Sequence, residues 1–133
     1  MPGPLDGYKV IDLTQVVSGP FATMMLADQG ADVIKVEPVT GMGDIARLPS
    51  FAKAGLSAFF INNNRGKRSL SVDLTGNEGR AIVRELAVQA DVFVQNFRPG
   101  AVERLGLGYD DLVADNPDLV YVSISGFGPT GPY

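Results

Sequence analysis

The stretch from Tyr8 to Glu37, "YKVIDLTQVVSGPFATMMLADQGADVIKVE", limits the fold more than any other. Tyr8–Leu13 and Asp32–Glu37 are short apolar runs that read as strands. Between them, Pro20 fits the first turn of a helix, where its missing N–H costs nothing. Phe21, Met24, Met25 and Leu26 supply an apolar helical face, and Gly30 suits the position just past the helix end. Strand, short crossover helix and second apolar strand together predict the interior of a parallel sheet. The turn after the first strand carries Ser-Gly-Pro, where a dinucleotide-binding fold would have G-x-G-x-x-G.

From Pro38 to about Arg68 the chain is less regular. "EPVTGMGDIARLPS" reads as a Gly- and Pro-rich loop, and "GLSAFFINNNRGKRS" as one apolar turn followed by a polar, basic run. Leu70–Leu74 alternates as a strand. Glu78–Ala90 is the clearest helix. Ala81, Ile82, Val83, Leu86, Ala87 and Ala90 group on one side of it, with Arg80, Arg84, Glu85 and Gln89 on the other. Asp91–Val94 reads as a strand, Ala101–Leu105 as a short helix ended by Gly106, Tyr109–Ala114 as a helical turn or two, and Leu119–Ile124 as the last strand. This order predicts an α/β fold: a Rossmann-like, doubly wound, mainly parallel sheet. The chain closes on "SGFGPTGPY", a loop beyond a strand's carboxyl end with no returning helix. The topology therefore predicts a fragment.

Composition removes whole classes of chemistry. A chain of 133 residues suits one domain. It has no Cys and no His, which excludes thiol nucleophiles, disulfides, zinc fingers, Ser-His-Asp triads and imidazole shuttles. Carboxylates, Lys, Tyr, hydroxyls and backbone amides remain. No acidic run has calcium-loop spacing, and no metal is expected. The net charge of −4 argues against a nucleic-acid partner. "MPGPLDGYKV" is not a signal peptide, and no apolar run has the length of a membrane span. A cytoplasmic protein with no membrane partner is the expectation.

Several segments are candidates for a site. The amides of Val17, Ser18 and Gly19 open a helix and form a candidate anion site; the alternative is a plain tight turn with a Ser cap. Glu37 stands near the offset at which dinucleotide folds hold a ribose, but without the glycine fingerprint it reads as an exposed strand-end carboxylate. Arg65, Lys67 and Arg68 read as a solvated basic loop, or as a phosphate site. "QNFRPGAVERLG" follows a predicted strand directly. Asn96, Phe97, Arg98 and Arg104 suit a phosphorylated ligand with a planar base; alternatively Phe97 is core and both Arg residues are surface. "SGFGPTGPY" is either a flexible cover over a site or a simple turn.

Taken in order, "PLDGYKVIDLTQVVSGPFATMMLADQGADVIKVEP", "NNRGKRSLSVDL", "DVFVQNFRPGAVERLGLGYDDL" and "VYVSISGFGPTGPY" resemble the N-terminal region of the class III CoA-transferases. The resemblance runs from Pro4 to Tyr133. It implies a coenzyme A site at Val16, Val17 and Ser18, with further contacts from Val72, Asn96, Phe97 and Arg104. It implies transfer of CoA from an acyl-CoA to a carboxylic acid acceptor through an aspartyl anhydride. No residue of this chain matches the catalytic Asp, which would lie past Tyr133, and the chain alone is expected to be inactive. Residues 1–133 would then be the CoA-binding segment of a larger enzyme, without its second domain and C-terminal return segment. The full-length form is expected to be an interlocked homodimer. Two alternatives stand beside this reading: an alpha-methylacyl-CoA racemase, and a short non-catalytic protein that binds CoA or another subunit.

Overall fold

A computed structural model describes residues 3–48, 52–53 and 56–132. Strand β1 (Lys9–Asp12) leads through a tight turn into helix α1 (Ser18–Asp28) and strand β2 (Asp32–Glu37). A 3-10 turn (Ile45–Arg47), a two-stranded hairpin of β3 (Ala52–Lys53) and β4 (Leu56–Ser57), and helix α2 (Ala58–Asn64) fill the region before β5 (Arg68–Ser71). Helix α3 (Asn77–Val88), strand β6 (Val92–Gln95), a 3-10 turn (Glu103–Leu105), helix α4 (Tyr109–Val113) and strand β7 (Val120–Ser123) complete the described elements.

The main sheet has the order β5-β2-β1-β6-β7, and every pairing in it is parallel. The chain winds outward from β1 to β2 and β5, then returns past β1 to β6 and β7. The strand order therefore reverses between β1 and β6. In open α/β sheets that reversal opens a crevice at the carboxyl ends of the strands.

Strand alternation sends side chains into two cores, one on each face. Val10, Val33 and Val94 pack with Ala31, Leu26 and Ala27 on the α1 side. Ile11, Leu13 and Phe93 pack with Val83, Ala87 and Leu112 on the α3 and α4 side. Full burial of each large side chain contributes about 1.5–3 kcal/mol. Both faces covered by helices is the doubly wound arrangement expected from the sequence.

Some local expectations shift. The fifth main-chain strand runs Arg68–Ser71 rather than Leu70–Leu74, because pairing with β2 starts at Ile34 against Arg68. On α3 the buried face is Gly79, Val83 and Ala87, while Ile82 is exposed, because α3 lies on the sheet by a narrower stripe than its composition suggests. Gly79 permits that approach: a Cβ there would stand 1.9 Å from the Asp73 carbonyl oxygen. Ser18 is the first helical residue and not a cap; Val17 takes the cap position, with no side-chain hydrogen bond. Gly30 does adopt the positive φ expected after the helix end. Tyr133, the last residue of "SGFGPTGPY", lies outside the described residues. Among the described residues, no helix is long and apolar enough to cross a membrane.

Candidate functional site

The turn between β1 and α1 is held by side chains from four other places in the fold. The Asp12 carboxylate accepts from Thr14 N (2.9 Å) and Thr14 Oγ1 (2.5 Å). The Lys35 ammonium donates to Thr14 O at 2.8 Å. Asn96 clasps the next residue from both sides, accepting from Gln15 N (2.9 Å) and donating to Gln15 O (2.8 Å). Asp44 Oδ1 accepts from Val16 N at 3.2 Å. Every one of these backbone groups is satisfied by a side chain.

Val16 is where this pinning has consequences. Its φ is +71°, and it is the one non-glycine residue with positive φ among those described. For a β-branched residue this is an outlier that costs on the order of 1–3 kcal/mol and persists only when its surroundings impose it. Beyond Val16 the chain enters α1. The first amides of a helix have no partner within it. Among the described residues, those of Val17, Ser18 and Gly19 meet no protein acceptor. Gly19 lies so close to Thr14 that a Cβ would sit 2.2 Å from the Thr14 Cβ.

Behind this turn lies a buried layer of alternating charge. Asp12 Oδ2 accepts from Thr23 Oγ1 (2.6 Å) and from Lys67 Nζ (2.8 Å). Lys67 also donates to Pro20 O and Asn64 Oδ1, and its side chain is 1% exposed. Desolvation lowers the Lys67 pKa, partly offset by the Asp12 carboxylate. Lys35 stands 2.9 Å from Asp44 Oδ2, an ion pair without directed hydrogen-bond geometry. Glu37 accepts from Asp44 N (3.0 Å), from Ser69 Oγ (3.1 Å) and from both faces of the Arg47 fork (2.7 and 2.8 Å). Burial alone would raise the Glu37 pKa, but the Arg47 and Asp44 hydrogen bonds and the nearby cations outweigh it and hold it below its ordinary value. The Arg47 guanidinium in turn stacks 3.6 Å from the Phe60 ring.

Two expectations are corrected here. Glu37 is not an exposed strand-end carboxylate: it is 5% exposed, because Arg47 and the Asp44 loop fold over it. The Arg65-Lys67-Arg68 run is solvated only in part: Arg65 and Arg68 are exposed as expected, but the Lys67 side chain is buried, and all three are ion-paired. Arg65 pairs with Asp28, Lys67 with Asp12 and Arg68 with Asp32, since β5 lies beside β2 and its approach passes α1.

Across the crevice, the loop after β6 presents Asn96, Phe97 and Arg98. Phe97 is half-buried and lines three cavities. One, of about 460 Å³, lies between the α1 turn and this loop and brings Ser18, Asn96, Phe97 and Arg98 together. A second, of about 250 Å³, is an apolar slot over β1, β2 and β5 that brings Phe97 to Val72, Val36 and Leu13. A third, of about 560 Å³, opens towards β7 and Tyr121. Four of the seven sequence-predicted contacts therefore line these cavities, Ser18, Val72, Asn96 and Phe97, while Val16 is exposed next to Ser18 and lines none of them. Val17 is exposed beside them. Arg104 stands apart on the 3-10 turn, exposed, lining none of these cavities, with its guanidinium near Gly100. Among the described residues, neither Arg98 nor Arg104 forms an ion pair.

Sequence reasoning missed Lys35, Asp44 and the role of Asp12. One signal was present: a Lys in the middle of an apolar strand is almost never buried without a partner. Among the described residues, no group of three or more acidic residues is placed to hold a metal.

The comparisons with known proteins agree with one another. The model of CoA-transferase family III matches residues 5–133. The human succinyl-CoA:glutarate CoA-transferase is 47% identical over 131 residues, covering 97% of this chain and 30% of that protein. The acetyl-CoA:oxalate CoA-transferase of Acetobacter aceti is 48% identical, covering 98% of this chain and 33% of that protein. A crystal structure of a CAIB/BAIF family protein from Brucella suis superposes with a TM-score of 0.91 at 46% identity, covering 100% of this chain and 36% of that one. The chain thus spans about a third of the length of the relatives it matches. Sequence match from Leu5 onward and the shared backbone together establish that the chain belongs to CoA-transferase family III.

Proposed function

We propose that this chain supplies the coenzyme A site of an enzyme that moves CoA from an acyl-CoA to a free carboxylic acid. The observation that carries this is the crevice at the strand-order reversal, where the pinned Val16 turn faces Phe97 and Arg98. In this reading the unpartnered amides of Val17, Ser18 and Gly19 meet the pyrophosphate at the α1 N-terminus. The adenine ring enters the apolar slot between Phe97 and Val72. Arg104 reaches the 3′-phosphate, a role suited to an exposed guanidinium with no carboxylate partner among the described residues. Asn96 acts through Gln15, since its carboxamide is committed to that backbone.

The acyl group is carried as an aspartyl anhydride on a carboxylate outside residues 1–133. A carboxylate nucleophile divides one difficult transfer into easier steps. Asp12 does not suit that task, because four donor contacts and complete burial saturate it. Asp73 is committed to Thr75, which lowers its pKa. The two relatives carry different named substrate pairs, succinyl-CoA with glutarate and acetyl-CoA with oxalate, at nearly equal identity to this chain. We infer that the acyl pair is chosen by residues beyond this segment.

Calorimetry with CoA and dephospho-CoA tests the reading. Phe97→Ala is expected to weaken both ligands. Arg104→Ala is expected to weaken CoA by about 1.5–3 kcal/mol, the size of one charge-assisted contact, and dephospho-CoA far less. Equal losses for the two ligands would remove the 3′-phosphate assignment. Wild-type protein that binds neither ligand would overturn the proposal.

A further inference from the structure

We propose that Asp44 is a positioning residue for the coenzyme A site, acting with Lys35 to hold Val16 in its left-handed conformation. The inference rests on the CoA reading above and adds to it a latch remote from the ligand. Val16 is 43% exposed at the crevice, yet its N–H donates inward to a carboxylate that is completely buried. A valine left alone leaves φ +71° for the β region, and the amides that follow it then turn away from the crevice. Asp44 prevents this by fixing the Val16 N–H.

Asp44 is itself fixed from three directions, one through its backbone and two through its carboxylate. Its own N–H donates to Glu37 Oε1, its Oδ1 also accepts from Ala46 N at 2.9 Å, and Lys35 faces its Oδ2. The same Lys35 ammonium holds Thr14 O, so one buried cation ties together both ends of the turn from Thr14 to Val16. Lys35 projects from the middle of β2, an element the sheet holds rigid on both edges. The turn is thereby locked to the sheet, and the free amides of α1 are presented in one arrangement. A site organised before its ligand arrives loses less entropy on binding.

Asp44→Ala alone strands the Lys35 ammonium in the interior, so the test removes both charges. The Lys35→Met/Asp44→Ala variant keeps the core apolar and removes the latch. It is compared with wild type, and again in a Val16→Gly background, where glycine adopts positive φ without strain. CoA affinity is measured by calorimetry per folded molecule, with folded fraction set by circular dichroism. Loss of the latch is expected to weaken CoA about tenfold in the wild-type background, and less than about threefold in the Val16→Gly background. Phe97→Ala is expected to weaken CoA by a similar factor in both. A latch variant with lowered Tm but unchanged CoA affinity, or equal losses in the two backgrounds, would overturn this assignment and leave the CoA site standing. Wild-type protein that does not bind CoA would overturn both.

Discussion

On the β2 side of β1, six charged side chains are layered beneath the α1 turn: Asp12, Lys67, Lys35, Asp44, Glu37 and Arg47. On the β6 side, the loop after Gln95 rests on an apolar base. Phe93 stacks on Tyr121 at 5.3 Å between ring centroids, and Val102, Leu107 and Leu112 are buried beneath. Its cationic side chains, Arg98 and Arg104, are exposed, as is Glu103. The first flank fixes backbone by buried ions, and its charges are all committed to protein. The second flank is fixed by packing, and its cations form no ion pair among the described residues. A strained turn needs directed contacts, which apolar packing does not supply; a ligand with several phosphates needs cations that the protein has not already neutralised.

The largest break in this comparison is at Asp12. Asp12→Ala leaves the Lys67 ammonium buried without its counterion, and should destabilise by about 3–5 kcal/mol, since removing one partner of a buried pair leaves an uncompensated charge. Urea unfolding measures it. A loss below about 1 kcal/mol would show that the buried layer is incidental. Asp12→Ala/Lys67→Met should recover much of the deficit, because an apolar pair of similar volume is tolerated where a lone charge is not.

Acid separates the flanks next. The folded-state pKa of Glu37 lies below its ordinary value of 4.5. A carboxylate lowered on folding contributes stability that is full above that ordinary value and lost as pH falls through the lowered folded value. Stability should therefore drop from about pH 4.5 downward, and Glu37→Gln should flatten that limb while costing stability at neutral pH. Equal acid slopes in the two proteins would place the sensitivity elsewhere. Tyr121 on the other flank, raised to about 12 by burial and by Glu103, is silent in this range.

Asn96 joins the flanks, and its removal should come third. Asn96→Ala deletes both hydrogen bonds to Gln15 and should cost about 1–3 kcal/mol at ordinary values for two net bonds. Asn96→Asp keeps only the acceptor to Gln15 N and should fall between Ala and wild type in thermal unfolding.

This asymmetry also explains what could be read in advance. Apolar runs carried the parallel sheet: Val10, Ile11, Val33, Val36, Phe93 and Val94 are buried as their pattern requires. Binding residues beside a strand end, such as Asn96 and Phe97, were legible because β6 fixes where the next residue emerges. The charged layer was not. Glu37, Lys67 and Asp44 have the composition of a surface, and only long-range pairing, such as Lys67 with Asp12 across 55 positions, takes them inside. Backbone strain at Val16 left no trace either, because its cause lies at Asp44, in a stretch that reads as featureless loop.

The smallest expected effect on stability is at the two free arginines, and its smallness is informative. Arg98 and Arg104 have no ion-pair partner among the described residues, and both are exposed. Substitutions at such positions usually stay within about 0.5 kcal/mol. Arg98→Ala and Arg104→Ala should each unfold in urea at the wild-type midpoint within that margin. Arg47→Ala should not, because it strips Glu37 of a bidentate partner in a buried setting. The same trio should reverse order in salt-dependent CoA binding, where the free guanidiniums dominate and Arg47, already neutralised by Glu37, contributes little. If Arg104→Ala lowered stability as much as Arg47→Ala, the guanidinium would be structural, and the division between a committed flank and a receptive one would fail at the residue on which it most depends.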